Sequence, residues 1–153
     1  MKATIITLTA LVFFVATAFI TQQTKPSQAK PKQPAAGAAP KAAMDRGKKV
    51  YEAVCLACHQ PDAGGVPNMN PPLIKTKWVL GDKKALIKIV LKGLQGGEIN
   101  INGDTFNNPM PPQESTLSDQ EIADVLTYVR NSFGNKASMV NLAEVKAMRA
   151  KLK

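Results

Sequence analysis

Both cysteines of this 153-residue chain and its one histidine fall within five consecutive positions, Cys55-Leu56-Ala57-Cys58-His59. No other feature restricts the fold as tightly. A Cys-x-x-Cys-His run is the pattern of c-type haem attachment. Near a helix end, each thiol can add across one vinyl group of the macrocycle, and the next residue sets an imidazole under the iron. Competing uses of the same residues run out of ligands. A structural zinc site takes four protein ligands, and no further Cys or His exists here. A thioredoxin-like dithiol expects a βαβ surround, whereas the flanking pattern is helix and loop. A plain disulfide suits an exported protein but leaves His59 without a purpose.

An iron held by His59 has a far side, and no second histidine can reach it. Methionine, lysine, a small molecule or nothing remain as occupants. Of the six methionines, Met110 stands between Pro109 and Pro111-Pro112, which fix φ and reduce the freedom a loop loses on ordering. Such a loop suits a thioether held against a metal. The other reading of Met110 is an apolar gap-filler, a common use of methionine.

Around these residues the pattern is all-α. Asp45 to Cys55 carries Val50, Tyr51, Val54 and Cys55 at helical spacing. Asp82 caps a segment in which Leu86, Ile89 and Val90 recur at i, i+3 and i+4, with Gly93 past its end. Its Ile-rich run also fits a buried strand. Ser118 and Glu121 form a capping box that opens a helix with Ile122, Val125, Leu126 and Val129 on one side. A second box, Asn141 with Glu144, opens a tail helix with Leu142, Val145, Met148 and Leu152 on one face. Ile99 to Gly103 fits one arm and the turn of a short β-hairpin before Met110, since Asn-Gly takes the positive dihedrals of a tight turn.

The front of the chain has another character. Residues 3–20 are uncharged and mostly apolar after Lys2, long for the core of a cleaved signal and short for a transmembrane helix. Ala16-Thr17-Ala18 and Ser27-Gln28-Ala29 both fit cleavage sites. Residues 22–43 carry Pro26, Pro31, Pro34 and Pro40 among Ala, Lys and Gln, a spacer composition that makes no core. A spacer is useful if the front stays in the membrane, which favours an anchor. The organisation expected is therefore a signal peptide or anchor over 1–21, a linker over 22–43, a haem domain over 44–136 and a C-terminal helix over 137–153. Five of the nine net positive charges lie in residues 1–43, leaving +4 on the rest. That distribution, with no aromatic stacking platforms among the basic residues, argues against a nucleic-acid partner.

Several motifs together resemble the class I cytochrome c family over about Asp45 to Gly134. Gly47, Tyr51 and Cys55, four apart, look like the family's first helix, and Val125 with Tyr128 like the matching contacts on its last. Asn70-Pro71-Pro72-Leu73 is similar to the family's Gly-Pro-x-Leu loop, with Asn70 where glycine is usual. Asn108-Pro109-Met110-Pro111 followed by Leu117-Ser118-Asp119 looks like its distal ligand loop. The resemblance implies a small cytochrome c fold, helices wrapped around one covalent haem c. Cys55 and Cys58 would carry that haem, and His59 and Met110 would be its iron ligands. The Pro71 carbonyl would accept from His59, and Leu73 would lie on the haem. Trp78 stands in a stretch like that of bacterial cytochromes found beside dehydrogenases. It would be either a haem-edge or propionate contact or a residue packed on a helix.

A His/Met iron has no open position, so the function implied is single-electron transfer rather than catalysis. It would operate outside the cytoplasm, in a bacterial periplasm, with a dehydrogenase as donor and an oxidase or other cytochrome as acceptor. The lysines at 75, 77, 83, 84, 88 and 92 would either steer an acidic partner or form a solvated face. Two other functions stay open: a haem enzyme or gas or peroxide sensor with a free sixth position, and a fixed cytochrome subunit of a dehydrogenase or oxidase complex. In the fixed-subunit case the basic side of the tail helix would be a docking face; otherwise that helix simply packs on the domain.

Overall fold

The structure is a computed structural model and describes residues 39–95 and 97–153. The expected signal peptide or anchor and most of the expected linker lie outside those residues. Pro40 precedes helix α1 (Lys41–Val50), so residues 41–43, read as linker, belong to helix. The chain then passes through a π-helical turn, Tyr51–Cys55, into the short α2 (Leu56–His59), where Gln60 at φ 66° ends it. One helical path therefore leads into the Cys-x-x-Cys-His run and stops as that run ends. π-turns inside helices concentrate at functional sites, and this one holds Cys55.

Thr76 caps the one-turn α3 (Lys77–Leu80), its side chain accepting from the Val79 N–H. Asp82 caps α4 (Lys83–Lys92) by accepting from the Lys84 N–H, and Gly93 at φ 73° closes it. The Ile-rich run is thus helix rather than strand. β1 (Ile99–Ile101) and β2 (Asp104–Phe106) form an antiparallel hairpin with Ile99 opposite Phe106. Asn102 and Gly103 turn it at φ 57° and 99°, the positive pair that Asn-Gly favours. α5 (Asp119–Asn131) opens on the Ser118–Glu121 capping box, both halves formed. In α6 (Leu142–Lys151) the Glu144 carboxylate accepts from the Asn141 N–H at 2.8 Å.

The described residues form an all-α arrangement with one short hairpin. α1 crosses α5 at Gly47: a Cβ there would lie 2.1 Å from the Asp124 carbonyl oxygen and 2.7 Å from Tyr128 Cβ. Arg46 grips Asp124 beside the crossing, Nε to Oδ2 at 2.6 Å and Nη2 to Oδ1 at 3.0 Å. Tyr51, Tyr128 and Phe133 pack with ring centroids 5.2–5.7 Å apart, within the range where tilted aromatic pairs attract. On the other side of α5, Val145 of α6 is fully buried with Val140, Ile87, Leu91 and Ile122. The apolar face of the tail helix is thus occupied by its own domain. The Arg130 guanidinium is buried, and among the described residues no carboxylate is hydrogen-bonded to it; it donates to the carbonyls of Val79, Gly81 and Ser138. Burial lowers its pKa, and nearby Glu144 works the other way.

Candidate haem site

One apolar cavity, with about 1220 Å³ of open space including its mouth, lies between these elements. Its wall includes Cys55, Cys58, His59, Met110, Pro71 and Leu73. Trp78 lines it too, as do Leu86, Ile89 and Val90 of α4 and Val125, Leu126 and Val129 of α5. No charged side chain is among the lining residues. Side chains from α2, α4, α5, the hairpin and both loops share this one mostly apolar wall, which suits a broad, mostly apolar guest.

His59 ends α2 with Nδ1 2.9 Å from the Pro71 carbonyl. A carbonyl only accepts, so Nδ1 carries the proton, and the Nε2 lone pair is free for a metal. Burial lowers the His59 pKa and the Pro71 hydrogen bond raises it, burial being the larger; the imidazole is neutral, the form that ligates. Gly65 makes this approach achievable. It has φ 73°, and a Cβ there would fall 2.3 Å from the Asn70 carbonyl oxygen and 2.7 Å from the Pro71 carbonyl carbon. Leu73 hangs from the same loop, its N–H donating to the Ala63 carbonyl at 2.8 Å. The Cys55 thiol is pushed up to about 11 by burial and, secondarily, by Cys58. Cys58 is exposed.

Of the methionines in the described residues, Met110 lines the cavity, whereas Met44, Met69, Met139 and Met148 do not. Met69 is 49% exposed. The Met110 backbone is fixed by more than its prolines. It exchanges two hydrogen bonds with Leu94, at 2.9 and 3.0 Å, and its carbonyl accepts from Gln95 Nε2 at 3.3 Å. Gly93 lets that carbonyl approach, since a Cβ there would lie 2.4 Å from the Met110 oxygen. The sequence shows Gly93 as a helix stop and gives no sign of this second role. The proximal and distal loops meet where Asn108 donates from its backbone to the Met69 carbonyl, at 3.2 Å, and from its side chain to Asn70 Oδ1, at 3.1 Å.

The donor set fits haem c. Two thiols three residues apart, a neutral imidazole and a thioether border one cavity whose other walls are mostly apolar, with Asn70, Thr76, Asn108 and Gln113 as uncharged polar members. Trp78 Nε1 is buried with no hydrogen-bond partner among the described residues. A buried N–H without an acceptor is costly, and a guest bearing carboxylates would supply one.

A family model described as cytochrome c matches residues 44–133. The chain is 35% identical to cytochrome c-552 of Thermus thermophilus over 114 residues, covering 69% of this chain and 85% of that one. It is 35% identical to the cytochrome c subunit of a quinone alcohol dehydrogenase from Gluconacetobacter polyoxogenes over 105 residues, covering 67% of this chain and 22% of that one. A cbb3-type cytochrome c oxidase subunit CcoP of Azospirillum brasilense is 32% identical over 101 residues, 62% of this chain and 30% of that one. The chain therefore spans about a fifth of the length of the dehydrogenase subunit it matches.

Proposed function

The chain belongs to the cytochrome c family, and on that premise we propose that it carries single electrons outside the cytoplasm through one haem c held by Cys55, Cys58, His59 and Met110. The observation that carries this reading is the single cavity on which those four side chains converge with no charged residue among its walls. The haem supplies a one-electron couple, and thioether ligation raises its potential. The chain's own part is to bury, orient and close. The apolar walls keep water from the centre. The Pro71 carbonyl fixes the His59 ring and makes it a better donor to the metal. Leu94, Gly93 and the three prolines hold Met110 in place, and the unpartnered Trp78 N–H would be offered to a carboxylate of the haem.

Partners are redox proteins, with a dehydrogenase as donor and an oxidase or another cytochrome as acceptor. The names of the relatives support this class of partner. Lys83 is paired with Glu144, and Lys92 with Glu114 at 2.7 Å. The lysines left for an acidic partner are then Lys75, Lys77, Lys84 and Lys88. The uncharged run of residues 3–20 supports a periplasmic location, with that run kept as an anchor. Among the described residues no helix is long and apolar enough to cross a membrane.

Carbon monoxide tests the reading. The reduced native protein should bind the gas slowly, since Met110 must first leave. Met110→Ala should bind it readily, lose the sulfur-to-iron absorption band and fall in potential. Rapid uptake by the native protein would instead make this a sensor or a peroxidase-like enzyme.

A further inference from the structure

Residues beyond 133, where the family match ends, reach back to both loops that border the cavity. Asn135 is buried. Its Nδ2 donates to the Leu73 carbonyl at 2.9 Å and to the Val129 carbonyl at 2.8 Å, and its Oδ1 accepts from the Lys75 N–H at 2.7 Å. One side chain thus pins the end of the Pro71–Leu73 loop to the end of α5. On the opposite loop, Arg149 of α6 donates from Nε to Asp119 Oδ1 at 2.6 Å, from Nη2 to the Leu117 carbonyl at 2.9 Å, and from Nη1 to the Glu114 carbonyl. The segment it grips begins at Glu114, four residues after Met110. The inner side of that segment is tied to α4 through Gln113 N–H to the Val90 carbonyl at 2.9 Å and Glu114 N–H to the Leu91 carbonyl at 3.2 Å.

Resting on the His59/Met110 reading, we infer that Asn135 and Arg149 are positioning residues, and that the C-terminal segment is a two-armed brace setting how firmly each axial ligand is held. A guanidinium fork to two carbonyls and a carboxylate is rigid in a way that apolar packing is not. Leu117 and Glu114 therefore cannot drift, and Met110 has only Pro111, Pro112 and Gln113 over which to relax. The Asn135 arm does the same for the carbonyl that orients His59. The tail helix has a use that does not require a docking partner.

The test uses the holoprotein and reads each arm separately. Arg149→Met keeps the length of the side chain and removes the fork. It should speed carbon monoxide binding at least about tenfold, the change that losing even one of the three charge-assisted hydrogen bonds allows. It should also bring the loss of the sulfur-to-iron band to lower pH. Arg149→Lys keeps the charge beside Asp119 but not the fork. It should give the same changes at smaller size, which keeps the test decisive if Arg149→Met does not fold. Asn135→Ala should raise the reduction potential, because a loosened Pro71 carbonyl makes His59 a weaker donor to iron, and should leave carbon monoxide binding slow. Val145→Ala, a cavity in the same helix, should lower the unfolding temperature and change neither readout. If the Arg149 variants do no more than Val145→Ala, the brace is wrong and the His/Met reading stands. If the native protein lacks the sulfur-to-iron band, both fall.

Discussion

Replacing Gly47 by Ala sets two opposed effects against each other in one residue. In an isolated helix the change is favourable by roughly 1 kcal/mol, because Ala is the better helix former. Here the new methyl would stand 2.1 Å from the Asp124 carbonyl oxygen, 2.6 Å from its carbon and 2.7 Å from Tyr128 Cβ. Carbon–oxygen contacts settle at roughly 3.3–3.6 Å, so α1 and α5 must separate by about 1.2 Å. Two of the three atoms in the way are backbone and cannot swing aside. A gap of ~1 Å forfeits up to about half of each dispersion contact it opens, and the Tyr51–Tyr128–Phe133 cluster and the Arg46–Asp124 fork both bridge it. Forced core insertions typically cost ~1–3 kcal/mol, and this one sits at or above the top of that range. Set against the helix-propensity gain, the net loss is at least about 2 kcal/mol, which lowers the unfolding midpoint of a domain this size by ~8 °C or more. Thermal unfolding of the holoprotein, followed by far-ultraviolet circular dichroism, measures it. An unchanged or raised midpoint would mean that the helices do not meet at Gly47, and the account of how α1 delivers Cys55 and His59 to the cavity would go with it.

Mass spectrometry of the native N-terminus should find the first residues retained, whereas a start at Phe19 or Lys30 would mean the leader is removed. Electron exchange with a physiological partner should slow as salt rises, because a lysine field is screened over ~8–10 Å. Lys84→Gln and Lys88→Gln should flatten that dependence more than substitutions at the internally paired Lys83 and Lys92; a rate indifferent to salt removes the lysines from docking. Ser118 holds the Glu121 carboxyl below its ordinary 4.5, through its side chain first and its backbone N–H second. A depressed folded value gives stability that is present above pH 4.5 and lost as pH falls through the folded value. The unfolding gap between the native protein and Glu121→Gln should therefore be widest near neutrality and close in acid.

The sequence made legible whatever depends on neighbours along the chain. Ser118 with Glu121, Asp82 with Gly93, and Asn102-Gly103 each state a local geometry, and the helix ends and the hairpin lie where those residues place them. Cys55, Cys58 and His59 are adjacent in sequence, and the rigidity of the Met110 loop shows in its prolines. The contacts that fix the site across distance could not be seen. Nothing in the sequence says that Gly93 faces the Met110 carbonyl or Gly65 the Pro71 carbonyl, because a glycine that ends a turn and one that admits another backbone look alike. Asn135 and Arg149 are ordinary polar residues until folding brings Leu73 and Glu114 to them. Lys83 and Lys92 counted as part of an open basic cluster because their partners, Glu144 and Glu114, lie in other elements.

The hairpin lends itself to engineering. Its tip, Asn102-Gly103, is exposed, with nothing within 4 Å of a Cβ built at Gly103, while Ile101 and Ile99, one and three residues before Asn102, form part of the cavity wall. Exposed tips with small polar residues tolerate insertion. A peptide tag or surface-binding sequence spliced between Asn102 and Gly103 would therefore leave the His59 and Met110 loops untouched. It would also attach within a few residues of the cavity wall, which, on the proposed function, makes this turn the natural point for wiring the protein to an electrode.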